Sequence, residues 1–510
     1  MFGRPILSAS TSASAASTER DGAFDPALLA ALRALKLRDL SADSRDINNE
    51  RAFVAYPGAA RDGRDFIADV VKRGVPAVLW ERAGFAWRDE WRVPNLGIEH
   101  LKTHASAIAS EVFGHPSEHL WMAGVTGTNG KTSTSQWIAQ SLDHLGQRSA
   151  VIGTLGQGLV GQVVVGTIVA DTNTTPDAIV LQRALRDAVT HGAQACAMEV
   201  SSHGLDQGRV ADVKFDVALF TNLTRDHLDY HGDMQAYGAA KAKLFQARGL
   251  QAAVINADDD FGRDLEQRLR ATGLPVISYG IGNGDLNAHI ERLDSNGMAF
   301  TVKSRWGEAR IESPLLGQFN VANLLGVLGV LLVRGVALAD AAQTLQILRP
   351  VAGRMQTLGG ADLPLVVVDY AHSPDALEKA LTTLRATMRQ DQRLICVFGC
   401  GGDRDRGKRQ LMGGVAARHA HHVIVTSDNP RSEAPLAIIE DILAGMPASG
   451  FEVIAERRAA IGVAIHQAQR GDVVLLAGKG HEDYQEIQGV RHEFSDIVVA
   501  REALAQRVAP

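Results

Sequence analysis

The chain has little cysteine: Cys196, Cys396 and Cys400 are its three cysteines in 510 residues. An odd set without paired spacing provides no disulfide framework and suits a reducing cytosol. Cys396 and Cys400 fall in a strand and the loop after it, with no further pair of ligands at zinc spacing, so a structural zinc reading is set aside. No apolar run of about eighteen residues is present, so no membrane span is expected. A basic excess is missing too, with 52 Lys and Arg against 58 Asp and Glu and a net charge of −6. That balance argues against a general nucleic-acid binder, and any anionic ligand must be held by local positive groups. Past the N-terminal lead there is no solenoid period and no low-complexity tract. The opening MFGRPILSASTSASAASTERDG turns Ser/Ala-rich after one arginine and a short apolar patch, so residues 1–25 read as a disordered lead rather than a secretory signal. What remains is ordinary globular composition, 45% hydrophobic and 22% charged, with length for about three domains at ~150 residues each.

The most informative stretch is Gly124–Ser133, GVTGTNGKTS, between the apolar lead-in Leu120-Trp121-Met122-Ala123 and a helical pattern over Thr134–Leu145. A glycine-rich turn that empties into a helix N-terminus aims several backbone N–H groups at one point and makes a phosphate site. Gly127 and Gly130 do the turning, and Thr128, Asn129 and Ser133 complete the loop. Lys131 is suited to the β- and γ-phosphates and Thr132 to Mg²⁺. Val125 stands where the strict phosphate-loop pattern asks for glycine.

Ahead of this loop, DPALLAALRALKLRDL is helical in pattern, followed by alternating and strand-like segments that close a small α/β domain near His115. Asp43-Ser44-Arg45 and Arg61-Asp62-Gly63 read most simply as a cap and a turn. After the loop, Val151–Val169 reads as strand and turn. In DTNTTPDAIVLQRAL, Pro176 is placed in a helix first turn with Thr174 or Thr175 as its cap; the same threonines also suit an anion cradle. Strand Ala195–Met198 ends in Glu199, where α/β nucleotide folds put a Mg²⁺ ligand. Strand Val217–Phe220 ends in a cluster of Asn, Asp and His, and a helix over Met234–Gln246 carries Lys241 and Lys243. The apolar helix after Gly317 places Asn320 and Asn323 on one face, as loop bridges or as contacts to a purine edge. Beyond Leu348, four βα units end in polar, glycine-rich loops containing Asp369–Asp375, Gly399–Lys408, Ser427–Arg431 and Ala477–Glu482, which reads as a doubly wound domain with a charged rim.

Together these motifs, from about Asp43 to Glu482, resemble the Mur ligases. The resemblance implies an α/β protein of three domains, with a disordered lead over 1–25. They are a small UDP-sugar-binding domain over 26–115, a central P-loop ATPase domain with a mostly parallel sheet over 116–347, and a C-terminal Rossmann-like doubly wound domain over 348–510. The reaction it implies takes ATP, UDP-N-acetylmuramoyl-L-alanyl-D-glutamate and an amino acid to the tripeptide product, ADP and phosphate, through an acyl phosphate. Lys131, Glu199, His227 and Lys241 are the implied catalytic set. Thr132 and Glu199 would hold one Mg²⁺, while His227 and Lys241, carrying a CO₂-derived carbamate, organise a second. Asn320, Arg354, Asp369 and His372 match the family's ATP contacts, with closure of the third domain over the second completing the site. Ser44, Asn173, Thr174, Thr175, Ser201, Gln207 and Arg209 match the UDP-sugar side, although the sequence around Arg61 departs from the His-Gln-Ala-Asp-Gly form of some relatives.

The stretch Asp428-Asn429-Pro430-Arg431 resembles the members that add meso-diaminopimelate, whose distal carboxylate lysine lacks. Arg431, assisted by Arg404, would grip that carboxylate bidentately. Asp428 and Glu482 would accept from ammonium groups, Gly478 would supply backbone, and Asn429 completes the pocket. The family's acidic pair after the arginine is here Ser432-Glu433-Ala434-Pro435. The alternatives are the L-lysine-adding homologue, a folylpolyglutamate synthetase-type ligase, and a P-loop switch or motor that makes no bond. A cytoplasmic monomer is expected.

Overall fold

The computed structural model describes residues 25–58, 61–161 and 173–507. The lead expected over residues 1–25 therefore lies outside the described residues, save Asp25, whose carboxylate caps the helix Pro26–Ala34. The end of the Val151–Val169 segment lies outside them as well. The chain forms two compact units, one running to Ser278 and including Gly329–Arg334, the other comprising Tyr279–Leu328 and the chain from Gly335.

The first unit begins with a parallel sheet whose strands, Asp39–Ser41, Arg51–Ala55, Val78–Glu81 and Asn95–Ile98, lie in chain order. Both faces are buried, as parallel sheets require: Ala52 and Val54 point into one apolar cluster, Phe53 and Ala55 into another.

Next in this unit come strands in the spatial order Ala252–Asn256, Val217–Phe220, Trp121–Thr126, Ala195–Glu199, Ser149–Gly153, Gly156–Leu159, parallel except for the last. From Trp121–Thr126 the chain moves outward on one side, returns to Ala195–Glu199, and then crosses to the other side. The carboxyl ends beside that reversal are where open α/β sheets bind ligands. Alternation within the strands sends Met122, Cys196, Met198 and Phe220 into one core.

In the second unit, strands Leu286–Asp294, Gly297–Ser304 and Gly307–Ser313 form an antiparallel meander, followed by the helix Gln318–Val333 as far as Leu328. The last sheet has the order Gln356–Gly359, Leu365–Asp369, Val473–Ala477, Leu394–Phe398, His422–Val425, Phe451–Val453, parallel except at its first strand. Val367, Cys396 and Leu475 face one core and Val366, Ile395 and Val474 the other, so helices cover both faces.

Local structure differs from the sequence reading in three places. The helix after the phosphate loop starts at Lys131 rather than Thr134, which puts Lys131, Thr132 and Ser133 in its first turn. The helix expected over Met234–Gln246 is α-helical to Ala242 and tightens to a 3-10 turn over Lys243–Gln246. The helix after Pro176 starts at Ala178, and its cap is Asp177, whose carboxylate accepts from Ile179 N. Because the helix begins at Ala178, Asp177 occupies the N-cap position, and its carboxylate also suits the positive end of the helix dipole.

Candidate functional site

Gly127 and Gly130 have φ of 145° and 86°, conformations that suit glycine. Space forbids a side chain at Gly127 as well, since a Cβ would stand 1.9 Å from Thr221 Oγ1. The loop is laced to the end of strand Val217–Phe220: Thr128 N donates to Asn222 O at 2.8 Å, Asn129 N to Asn222 Oδ1 at 2.9 Å, and Thr221 Oγ1 to Asn129 O at 2.6 Å. This fixes the backbone amides in advance of any phosphate.

Two lysines meet on one carbonyl. Lys131 Nζ donates to Gly127 O at 2.9 Å and to Thr128 O at 2.8 Å, and Lys241 Nζ donates to the same Gly127 O at 2.8 Å. Lys241 is 1% exposed and lies 4.3 Å over the Tyr237 ring. Burial first, and the charge of Lys131 second, hold its amine well below the usual lysine range. Lys243, the other lysine of that helix, pairs at the surface with Asp206.

Glu199 ends its strand 1% exposed. Its Oε2 accepts from Thr132 Oγ1 at 3.0 Å and Thr154 Oγ1 at 3.1 Å, and its Oε1 from Thr154 N at 2.8 Å. Thr132 and Glu199, adjacent at 3.0 Å, are hard oxygen donors that fit Mg²⁺. Among the described residues no three His, Cys, Asp or Glu side chains converge as a metal cage, so a hard cation at Thr132 and Glu199 would fill its shell with phosphate oxygens and water. His227 has φ 52° and lies edge-on to His203 at 4.9 Å and to Tyr237 at 6.2 Å. Tyr237 thus packs against both His227 and Lys241, and its hydroxyl shares a 3.2 Å hydrogen bond with Thr128; burial pushes its phenol up to about 12.

Four of the residues matched to the UDP-sugar converge around Thr175. Its hydroxyl donates to Glu199 O at 3.0 Å and accepts from Ser201 N at 2.9 Å, and its carbonyl accepts from Arg209 Nη1 at 2.6 Å. Arg209 Nε also donates to Gln207 Oε1 at 3.0 Å. Thr174 Oγ1 accepts from Thr154 Oγ1 at 3.3 Å, and Asn173 is exposed at the start of this segment. Ser44 belongs to the short turn Ser44–Asp46, capped by Asp43, where its carbonyl accepts from Arg73. A small cavity of about 40 Å³ is lined by Tyr56 and Lys102 together with Asp177, Gln207 and Arg209.

In the second unit, Asn323 Nδ2 donates to Asn320 Oδ1 at 3.0 Å, and Asn320 Nδ2 donates to Leu316 O. Asp369 Oδ2 accepts from Met355 N at 2.8 Å; burial raises its carboxyl and the Arg354 guanidinium opposes that. Arg354 lies 4.8 Å over the Tyr370 ring, and His372 Nδ1 is 2.8 Å from Tyr370 O.

The charged rim of this unit is a network. Asn429 Nδ2 donates to Glu482 Oε2 at 2.8 Å, while Lys479 Nζ donates to that oxygen and to Asn429 Oδ1, each at 3.1 Å. Gly478 borders it, since a Cβ there would be 2.7 Å from Asp428 Oδ2. Arg431 Nη1 donates to Gly402 O at 2.8 Å. A Cβ at Gly401 would stand 2.9 Å from Arg431 Nη1 and 3.8 Å from Arg404 Cγ, so the absence of a side chain there leaves room for the Arg431 guanidinium beside the stem of Arg404. Behind them, Arg409 pairs with Glu433 at 2.8 Å, and this pairing holds the Glu433 carboxyl down at about 2.

Sequence reasoning left Lys479, Arg409 and Arg457 unassigned. Lys479 is 0% exposed, and its signal is a lysine between two glycines at a buried strand end. Arg457 forms a fully buried pair with Asp496 and donates to Ala477 O at 3.0 Å; neither its spacing nor its neighbours mark it.

A phosphate loop on one α/β sheet and a second doubly wound sheet with an acid, amide and arginine rim define a nucleotide-dependent, group-transferring class of protein. Three family models match in order: Mur ligase family, catalytic domain, over residues 36–112; Mur ligase middle domain over 125–331; and Mur ligase, glutamate ligase domain, over 353–480. The chain belongs to the Mur ligase family, whose members are ATP-dependent, peptide-bond-forming ligases. It is 52% identical over 482 residues to the UDP-N-acetylmuramoyl-L-alanyl-D-glutamate–2,6-diaminopimelate ligase of Chromobacterium violaceum, covering 94% of this chain and 97% of that one. To the protein of the same name from Pseudomonas aeruginosa it is 50% identical over 479 residues, with the same coverage. A solved structure of a ligase of that name matches with a TM-score of 0.67 at 37% identity, covering 93% of this chain and 96% of the other. No helix among the described residues is long and apolar enough to cross a membrane.

Proposed function

We propose that this chain uses ATP to join meso-2,6-diaminopimelate to the D-glutamyl carboxylate of UDP-N-acetylmuramoyl-L-alanyl-D-glutamate, in peptidoglycan synthesis in the cytoplasm. The observation that carries the reading is the rim of the second unit. Its acids, Asp428 and Glu482, suit ammonium groups, while Arg431 with Arg404 suits a distal carboxylate. The names of the similar proteins support the same substrate. A lysine-adding ligase has no carboxylate for Arg431 to hold.

The substrate carboxylate attacks the γ-phosphorus, an O–P bond forms and ADP leaves. The diaminopimelate amine then attacks the acyl carbon, the C–N bond forms, phosphate leaves and the amine gives up its proton. Two anions meet in the first step, so fixed positive groups must be in place beforehand. Lys131 and the amides of Gly127–Ser133 take the phosphates, and Asn320, Arg354, Asp369 and His372 are assigned to the nucleotide. Ser44, Asn173, Thr174, Thr175, Ser201, Gln207 and Arg209 are assigned to the UDP-sugar. One Mg²⁺ held by Thr132 and Glu199, and a second organised by His227 with modified Lys241, would neutralise charge on the phosphates. Lys241 is assigned a carbamate: its neutral amine attacks CO₂, a C–N bond forms and one proton is released. Its buried amine, held below the usual range, supports that assignment. We place the domain boundaries near residues 115 and 347.

ADP release from the purified protein with the UDP-dipeptide and meso-diaminopimelate, L-lysine or no amino acid tests the reading. Release should require diaminopimelate, and equal turnover with lysine would sink it.

A further inference from the structure

Beyond the last sheet's strand Val473–Ala477 the chain makes a two-stranded hairpin, Tyr484–Ile487 and Val490–Glu493. Gln488 and Gly489 form its turn with φ of 51° and 75°, the geometry of a tight two-residue turn. The hairpin buries little: Val490–Glu493 is exposed throughout, and Ile487 is 37% exposed. An isolated hairpin is marginal in water, so its hydrogen bonds to the rest of the unit matter to its order.

Those bonds fall on consecutive parts of the diaminopimelate-type loop. Gln485 Nε2 donates to Asp428 O at 2.6 Å and Glu486 N to Asn429 Oδ1 at 3.0 Å. Arg431 N donates to Glu486 O at 3.0 Å, and Gln488 N donates to Arg431 O at 2.7 Å. Arg431 has φ 50°, a left-handed conformation disfavoured for a bulky side chain, and these two backbone bonds hold it there. The side chain is fixed as well, with Nη1 on Gly402 O at 2.8 Å and Nε 3.6 Å from Glu486 Oε2. The guanidinium is therefore held by one hydrogen bond, to Gly402 O, and by the ion pair with Glu486, while its backbone is fixed by the hairpin.

We infer that the hairpin Tyr484–Glu493 sets amino-acid specificity, with Glu486 as the positioning residue that aims the Arg431 fork at the incoming carboxylate. This rests on the function proposed above. Bidentate recognition of a carboxylate depends on the fork's plane. A fork aimed in advance saves the ordering cost on binding. The role is directed at one substrate, so its loss should appear in that substrate's KM.

Steady-state ADP release by Glu486→Gln tests this. KM for meso-diaminopimelate should rise about tenfold, with kcat and the KM values for ATP and the UDP-dipeptide within about twofold. Glu486→Asp should recover part of the loss. In an Arg431→Lys background, Glu486→Gln should change KM less than about twofold, because the two residues act through one interaction. An unchanged KM in Glu486→Gln overturns the inference, as does an equal increment in the Arg431→Lys background. A rise in all three KM values with a lowered Tm also overturns it, because that is the mark of a merely structural role. Wild-type turnover that needs no diaminopimelate overturns the functional reading instead, whereas diaminopimelate-dependent turnover with an unmoved KM in Glu486→Gln overturns the hairpin's role alone.

Discussion

Lys131 and Lys241 show how position decides the state of an amine. Both donate to Gly127 O, yet Lys241 is the one buried to 1% exposure. Desolvation penalises its charged form and the neighbouring ammonium adds to the penalty. A neutral amine is nucleophilic, and a carbamate would turn a group that repels a cation into an oxygen donor. Replacement of Lys241 by Ala should abolish ADP release, and small added carboxylates should restore part of it; a fully active Lys241→Ala enzyme would refute the assignment. The phosphate-loop residues were legible because Gly127, Gly130, Lys131 and Thr132 are neighbours in sequence whose spacing already encodes the turn. Lys241 was legible only through resemblance, since nothing in Ala-Ala-Lys distinguishes it from a solvated lysine. Its burial under the loop comes from packing.

At the level of elements, the site depends on strand ends brought close together. Glu199 lies at the end of one strand and Gly153 at the end of its neighbour, and a Cβ at Gly153 would stand 2.2 Å from Glu199 Oε1. Replacing Gly153 with Ala should displace the carboxylate from Thr132 and Thr154 and cost about 1–3 kcal/mol of stability. Urea unfolding would measure that loss, and ADP release should fall by a larger factor than stability alone explains. Gly153 carried no sequence signal, because a glycine at a strand end reads as a turn residue. The helix cap at Asp177 was missed for a related reason. Thr174, Thr175 and Asp177 are all capable caps, and the path of the chain out of Pro176 decides among them. Once Asp177 caps the helix, Thr175 is released to bond Glu199 O and Ser201 N.

For the whole molecule, the first unit shows how two sheets are tied across the chain. Helix Ala178–Thr190 sends Ile179 into the first sheet's core. Its Arg183 donates to Asp39 Oδ1 at 2.9 Å and lies 3.5 Å from Asp46. Tyr56 OH donates to its cap Asp177 at 3.2 Å, beside the cavity that Gln207 and Arg209 line. Arg183→Met should lower stability by about 1–3 kcal/mol, the scale of a lost charge-assisted hydrogen bond, measured by thermal or urea unfolding. It should also raise KM for the UDP-dipeptide while leaving KM for ATP unchanged; equal changes in both would contradict the link between this seam and the UDP-sugar.

The sequence by itself determined the apolar buried strands, the phosphate loop and the polar strand ends, because each depends on residues that are neighbours in the chain. It also determined the family, through motifs such as Gly-Thr-Asn-Gly-Lys-Thr and Asp-Asn-Pro-Arg. Only the tertiary structure decided that Lys241 shares a carbonyl with Lys131, that Lys479 locks Asn429 to Glu482, and that a surface hairpin clamps Arg431. Each of those contacts depends on burial or on one surviving hydrogen-bond geometry, and both are set by how distant strands and helices pack.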